Sequence, residues 1–306
     1  MNAKTESRAV GYALVAAAAS SWGTWPLIMH AAHARGTIAQ ELVSFVVMVA
    51  ITVVPIPRLA RDRVKAKAPR SAWLGVLWLG LSDAANVALF FGAYARTSVA
   101  VAVLTHYLAP LFVAVAAPLV LGERARRSTY VALVVALSGL CLVLSPWRAS
   151  FRPSDLVGAL FGAGSAVFYA SNVIVSKRVA PYFSATELMV FHGLVGLPFL
   201  AWLVPSGAWS EVSSGSLWVI AIAGVGPGAL SGLVFTWGLR RVPASHASTL
   251  TLLEPLVAVA SGVLFLGETL GLVGVLGALV VLFGAWLVLA GKSRETEGRD
   301  LETKPL

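Results

Sequence analysis

Polar and ionisable side chains recur at helical spacing inside stretches that are otherwise apolar. Asp83, Asn86 and Phe90 stand at i, i+3 and i+7 and therefore share one face of a helix. Tyr169 and Asn172 belong to a second stripe of this kind. Hydrocarbon tolerates few such groups, so we expect both faces to meet protein or a water-filled cavity. Their aromatic, small and weakly polar chemistry suits an organic solute and resembles no metal-ligand set.

Twelve residues on six predicted helices are candidates for substrate binding. They are Trp22, Trp25, Asp83, Asn86, Phe90, His106, Tyr107, Tyr169, Asn172, Ser231, Thr251 and Glu254. Three prolines in the same helices, Pro110, Pro227 and Pro255, are candidate hinges or kinks. We expect no catalytic residues and no metal site.

The ionisable candidates each have a structural alternative. A charge at the bilayer centre costs about 2.5–3.5 kcal/mol on insertion scales, so Asp83 and Glu254 need a partner or a role. Asp83 either lines a pathway or bonds a neighbouring helix. Glu254 precedes a proline and is equally suited to serve backbone groups freed by a kink. His106 is a packing histidine in the alternative interpretation, whereas His192 and His246 are interpreted as interfacial because they lie near helix ends.

The composition is that of a polytopic α-helical membrane protein. Of 306 residues, 58% are hydrophobic and 12% charged, and the mean hydropathy is +0.82. Ten apolar runs predict ten transmembrane helices, which we number as spans 1 to 10. They cover about residues 10–30, 41–57, 71–95, 99–121, 130–146, 156–176, 185–204, 216–238, 244–266 and 270–290.

The two halves of the chain repeat each other. Pro110-Leu111 and Leu121-Gly122-Glu123 recur as Pro255-Leu256 and Leu266-Gly267-Glu268 at a constant offset of 145 residues. This predicts a first five-helix repeat over residues 1–147, a second over 154–292, and a tail over 293–306. We expect that tail to be disordered because it is polar.

The basic residues indicate how the spans are oriented. With a cytoplasmic N-terminus, 19 of the 23 Lys and Arg residues fall on the inside, and both termini are cytoplasmic. Because these residues lie at membrane edges, the net charge of +9 implies no nucleic-acid partner. Five spans per repeat is an odd number, so the two halves face opposite ways, as in many secondary transporters.

About residues 10–290 resemble the drug/metabolite transporter superfamily, in its ten-helix EamA-type family. The resemblance rests on two five-helix repeats with Pro-Leu and Leu-Gly-Glu in the fourth helix of each. Tyr107-Leu108-x-Pro110 is similar to the bacterial aromatic amino acid exporters, whereas Leu253-Glu254-Pro255 follows the wider family. The resemblance implies export of amino acids or related metabolites from the cytoplasm across a bacterial inner membrane, without a cofactor. The sequence has no P-loop signature, so no ATPase partner is implied.

We therefore expect a secondary transporter that exports amino acids, aromatic or other neutral ones, through a midplane cavity between spans 1, 3, 4, 6, 8 and 9. At the 145-residue offset between the repeats, Asp83 aligns with Gly228 and Glu254 aligns with Ala109. No acidic site is duplicated, which favours facilitated diffusion. The alternative is a proton-coupled exporter of drugs or organic cations. A membrane enzyme is disfavoured because no H-E-x-x-H or similar cluster occurs, and a sensor or structural protein because the loops hold no soluble domain.

Overall fold

The computed structural model describes residues 3–64, 67–123, 127–148, 153–267 and 269–302. Within these, nine helical segments are long and apolar enough to cross a membrane, and they match spans 2 to 10. Their bounds are Gln40–Leu59, Arg70–Ala93, Val99–Leu121, Arg127–Leu144, Asp155–Val179, Ala185–Leu203, Ser214–Leu239, Ala244–Phe265 and Leu272–Ala290. The prediction of an all-helical, multi-spanning chain is confirmed.

Span 1 consists of two helices, Ala3–Trp22 and Trp25–His33, where the sequence predicted one. Pro26 lies in the first turn of the second helix. A proline lacks the backbone N–H of a helical residue, and its ring clashes with the carbonyl four residues earlier, here that of Trp22. The helix therefore ends at Trp22 and restarts after Gly23 and Thr24.

Spans 4 and 9 are interrupted at equivalent places. Span 4 is divided into Val99–His106 and Ala109–Leu121, and span 9 into Ala244–Leu250 and Leu253–Phe265. In each span, the second helix begins with a proline in its first turn, and the ring of that proline excludes the preceding helical hydrogen bond.

The repeated Leu-Gly-Glu sequence has a physical explanation in its glycine. Gly122 and Gly267 end spans 4 and 9 with φ of 66° and 70°, in the left-handed region where glycine has no steric penalty. The glutamate after Gly267, Glu268, lies outside the described residues.

The two halves pack as a pseudo-symmetric pair. Span 3 packs on span 6 as span 8 packs on span 1, and spans 5 and 10 pack on each other. A Cβ at Gly139 would lie 2.8 Å from the Gly277 carbonyl, and one at Gly284 would lie 2.9 Å from the Ala132 carbonyl. Adding 145 to 139 and 132 gives 284 and 277, so the two contacts exchange when the repeats exchange. The reciprocal contact is the signature of a two-fold relation, and the odd span count makes it an inverted repeat.

The surface of the bundle is apolar. Leu119, Trp202 and Trp218 are all at least 70% exposed, whereas Ser165, Ser248 and Thr251 are at most 1% exposed. This arrangement is expected where lipid surrounds the protein.

The helix of span 10 runs from Leu272 to Glu302 and so continues beyond the apolar segment. The disorder of the tail after residue 292 stays a prediction. The segment after Ala290 is rich in Lys, Arg and Glu, which are strong helix formers.

Candidate functional site

A cavity of about 240 Å³ lies between the two halves, among spans 1, 2, 3, 6, 7 and 8. Its aromatic and polar lining residues are Trp22, Trp25, Asp83, Tyr169, Asn172, Ser176, His192, Phe235 and Thr236. The sequence predicted that spans 4 and 9 line the cavity. In the structure, spans 2 and 7 line it instead. The helical period showed which residues share a face, but not which neighbouring helix that face meets.

The cavity lies toward one end of the bundle. Spans 3 and 7 begin at that end, and their lining residues reach no farther than the middle of the helix, as at Asp83 and His192. Spans 6 and 8 end there, and their lining residues lie in the second half of each helix. This end carries the Arg58–Arg70 linker, the basic pair in the last turn of span 6 and the basic pair after span 8.

A carboxylate and an imidazole face each other inside the cavity. Nε2 of His192 lies 3.8 Å from Oδ2 of Asp83, and the two side chains are 15% and 26% exposed. Nδ1 of His192 lies 2.7 Å from the Leu188 carbonyl oxygen, one helical turn earlier. The interpretation of His192 as interfacial is wrong, since it lies inside span 7.

Asp83 is held from the side opposite His192. The Asn172 amide donates to Asp83 Oδ1 at 3.2 Å, and the Ser82 hydroxyl donates to the Asn172 carbonyl oxygen. Because a carboxylate only accepts, the amide nitrogen of Asn172 is the end that faces Asp83. Asp83 therefore lines the cavity and also bonds a neighbouring helix, while its place in a substrate pathway stays a prediction.

The approach of spans 3 and 7 depends on Gly80. A Cβ at this position would lie 2.5 Å from the backbone oxygen of His192 and 2.5 Å from the Val195 side chain. Gly80 stands one helical turn before Asp83, so its missing side chain allows His192 to come within reach of the carboxylate.

Aromatic rings form a further part of the cavity lining. The ring centroids of Trp22 and Phe235 lie 5.1 Å apart, joining spans 1 and 8. Ser231, one turn before Phe235, donates to Ser21 at 2.8 Å and links the same two spans. Ser231 is outside the cavity lining, whereas Pro227, in a π-helical segment from Gly224 to Leu230, belongs to it.

A second polar network lies between spans 3, 4 and 6. Ser165 donates to Oδ1 of Asn86 at 3.1 Å, and Nδ1 of His106 lies 2.5 Å from the same hydroxyl. Since the Ser165 proton goes to Asn86, His106 carries a proton on Nδ1. The His106 ring also packs on Phe90 and Tyr169, with centroids 4.5 and 5.5 Å away. Tyr169 thus belongs to both the cavity wall and this network.

The network extends to span 9 through two tyrosines. Tyr169 interacts with Thr251, and Tyr107 interacts with the Glu254 carboxylate. Thr251 also donates its hydroxyl proton to the Ser248 carbonyl at 2.7 Å. These contacts bring Asn86, Phe90, His106, Tyr107, Thr251 and Glu254 together beside the cavity rather than in its lining.

The basic end of the bundle has its own polar connections. Glu123 pairs with Lys177 at 2.5 Å and accepts from the Ala244 backbone N–H at 2.7 Å. It therefore caps the start of span 9 from the end of span 4. His246 lies 2.6 Å from the Tyr12 hydroxyl and 3.1 Å from that of Thr129, so it joins spans 1, 5 and 9 rather than an interface with the lipid headgroups.

Comparison with known proteins identifies the family. The model of the EamA-like transporter family matches residues 9–145 and 156–290, once for each repeat. The chain therefore belongs to this family of transporters, and it is a multi-pass membrane protein.

Two individual relatives and one solved structure add detail. An uncharacterized transporter of Archaeoglobus fulgidus is 32% identical over 69% of this chain and 76% of its own length. The threonine/homoserine exporter RhtA of Salmonella typhimurium is 26% identical over 76% of each chain. A protein of known crystal structure shares the fold with a TM-score of 0.77, covering 93% of this chain and 98% of its own at 19% identity.

Proposed function

We propose that this protein exports neutral amino acids from the cytoplasm by alternating access, without a coupled energy source. The observation that carries the proposal is the cavity between the repeats, which is lined by both an acid–imidazole pair and aromatic rings. Its volume of about 240 Å³ lies just below the ~300–1,000 Å³ of pockets for drug-sized ligands, which suits a small metabolite.

The place of the cavity supports access from the cytoplasm. The distribution of Lys and Arg predicts that the basic end of the bundle, and both termini, are cytoplasmic in a bacterial inner membrane. The cavity belongs to that end, so the described conformation offers its site to cytoplasmic solutes. Rocking of one repeat against the other would present the same site to the outside.

The substrate class is supported by one relative and by the lining. RhtA is an exporter of threonine and homoserine, both small neutral amino acids, and it is similar to this chain over three quarters of its length. The Tyr107-Leu108-x-Pro110 sequence is similar to that of the aromatic amino acid exporters, so an aromatic amino acid is included among the compounds tested.

A second candidate is a proton-coupled exporter of organic cations. The observation in its favour is the Asp83 carboxylate, which is about a quarter exposed in a cavity with a Trp22–Phe235 wall. Rings of this type bind cations through their faces.

Counterflow into proteoliposomes separates the two candidates. Vesicles containing the purified protein are loaded with unlabelled threonine, homoserine, phenylalanine or an organic cation, and entry of the labelled compound is followed. We expect transient accumulation of a neutral amino acid with no pH gradient. Exchange of the organic cation alone, or accumulation that depends on an imposed pH gradient, would favour the second candidate.

A further inference from the structure

We propose that Asp83 and His192 form a clamp for the two charged groups of a zwitterionic amino acid. The Asp83 carboxylate receives the α-ammonium group, and the His192 imidazolium receives the α-carboxylate. The clamp rests on the proposed function and assigns the groups of that site that recognise the substrate.

The proton positions follow from the partners of His192. Nδ1 faces a backbone carbonyl at 2.7 Å, and a carbonyl oxygen only accepts, so Nδ1 carries a proton. Nε2 faces Oδ2 of Asp83 at 3.8 Å. A lone pair there would oppose the carboxylate, whereas a second proton makes the contact attractive. The clamp assigns this proton to Nε2, which makes the pair an imidazolium and a carboxylate.

The pair is open enough to admit a ligand. Charge-assisted N–H···O bonds close to about 2.7–2.9 Å, so 3.8 Å is an ion pair without a fully formed hydrogen bond. Both side chains are partly exposed and line the same cavity. A zwitterion replaces one loose ion pair by two close ones.

Each member is held at its far side, and Oδ2 of Asp83 and Nε2 of His192 point toward each other. Asn172 occupies Oδ1 of Asp83, and Leu188 occupies Nδ1 of His192. Gly80 sets the separation of spans 3 and 7. The two charges are thus positioned before a ligand arrives, which reduces the entropy lost on binding.

Charge balance matches a neutral substrate. The pair is neutral overall, and Tyr169 is the one further titratable group among the described lining residues. The Glu254 carboxylate lies beyond it and interacts with Tyr107. A zwitterion adds no net charge. An amine would pair with Asp83 and leave His192 without a partner, and an acid would do the reverse. No proton has to move, which agrees with facilitated diffusion.

The first test uses the wild-type protein and three related solutes. Exchange of labelled threonine is measured in competition with 1-amino-2-propanol, which lacks the carboxylate, and with 3-hydroxybutyrate, which lacks the ammonium group. We expect each analogue to compete roughly ten- to a hundredfold less well than threonine, the range for losing a hydrogen bond to a charged group.

Two substitutions should change this selectivity in opposite directions. Asp83→Asn should remove the discrimination against 3-hydroxybutyrate and keep that against 1-amino-2-propanol. His192→Gln should do the reverse. Glu211→Gln and His33→Gln remove a matched carboxylate and imidazole at exposed positions outside the cavity and should change neither ratio. A loss of packing alone would weaken all three solutes together.

The outcomes separate the clamp from the function on which it rests. If the wild-type protein exchanges threonine but binds both analogues as well as threonine, the clamp is wrong and the exporter stands. This result requires no variant, so a substitution that prevents folding leaves the test intact. If no amino acid exchanges, both proposals fail.

Discussion

Ser165 lies where three spans meet and has a single proton to donate. It gives that proton to Asn86 of span 3 and accepts one from His106 of span 4, while its own side chain is fully buried in span 6. Two polar side chains that would each be costly to bury alone are thereby satisfied by one hydroxyl. The positions of Asn86 and His106 beside the cavity therefore depend on Ser165.

Ser165→Ala should lower the stability of the protein. The substitution leaves Nδ1–H of His106 and Oδ1 of Asn86 without their partner, which costs about 1–3 kcal/mol for a buried group. Thermal unfolding in detergent measures the effect. Ser138→Ala is the control, because Ser138 is exposed and bonds only the Val135 carbonyl of its own helix. Equal midpoints for both variants would contradict the network.

The sequence predicted part of this arrangement. Helical spacing placed Tyr169 and Asn172 on one face, and Asp83 on another, and all three line the cavity. It gave no signal for His192, because that residue has apolar neighbours one turn away and its polar partner lies on another helix. The substrate-binding roles of all these residues stay predictions until transport is measured.

At the scale of the helix, glycines decide which spans touch. Spans 5 and 10 cross at Gly139 and Gly284, where a Cβ would meet backbone atoms of the opposite helix within 3 Å. The span boundaries were predictable to within a few residues, because apolar length alone sets them. The break in span 1 was not predicted, although Pro26 is its cause, since a proline inside an apolar run does not show whether the helix bends or ends.

Gly139→Ala and Gly284→Ala should destabilise the protein by similar amounts. Each adds a methyl group against backbone, where overpacking costs about 1–3 kcal/mol, and the two sites are related by the repeat. Unfolding midpoints of both variants are compared with Gly271→Ala, where a Cβ would meet nothing within 4 Å. Strongly unequal losses would show that the crossing is not symmetric.

At the scale of the whole molecule, inversion of the repeats gives the cavity its two possible openings. The inverted repeat was predictable from sequence, because a constant offset and an odd span count leave no other arrangement of the halves. Which face is cytoplasmic rests on the basic residues and stays a prediction.

Single cysteines test that orientation. With Cys141 replaced by alanine, Ser206→Cys reports on the loop between spans 7 and 8, and Arg63→Cys on the linker between spans 2 and 3. Both positions are exposed. We expect a membrane-impermeant thiol reagent added to intact cells to label position 206 and to leave position 63 unlabelled until the cells are opened. The reverse pattern would place the basic linker outside.

The central claim is that the cavity between the repeats is the path of the amino acid, and a cysteine within it tests this most directly. Ser176 lines the cavity near its basic end. In Ser176→Cys, made in the Cys141→Ala background, the rate of thiol labelling and the counterflow of labelled threonine are measured on the same proteoliposomes, with Ser206→Cys as the control. We expect threonine to slow labelling at position 176 and the labelled protein to lose exchange, while labelling at position 206 affects neither. Full exchange after complete labelling at position 176, with no protection by threonine, would contradict the account.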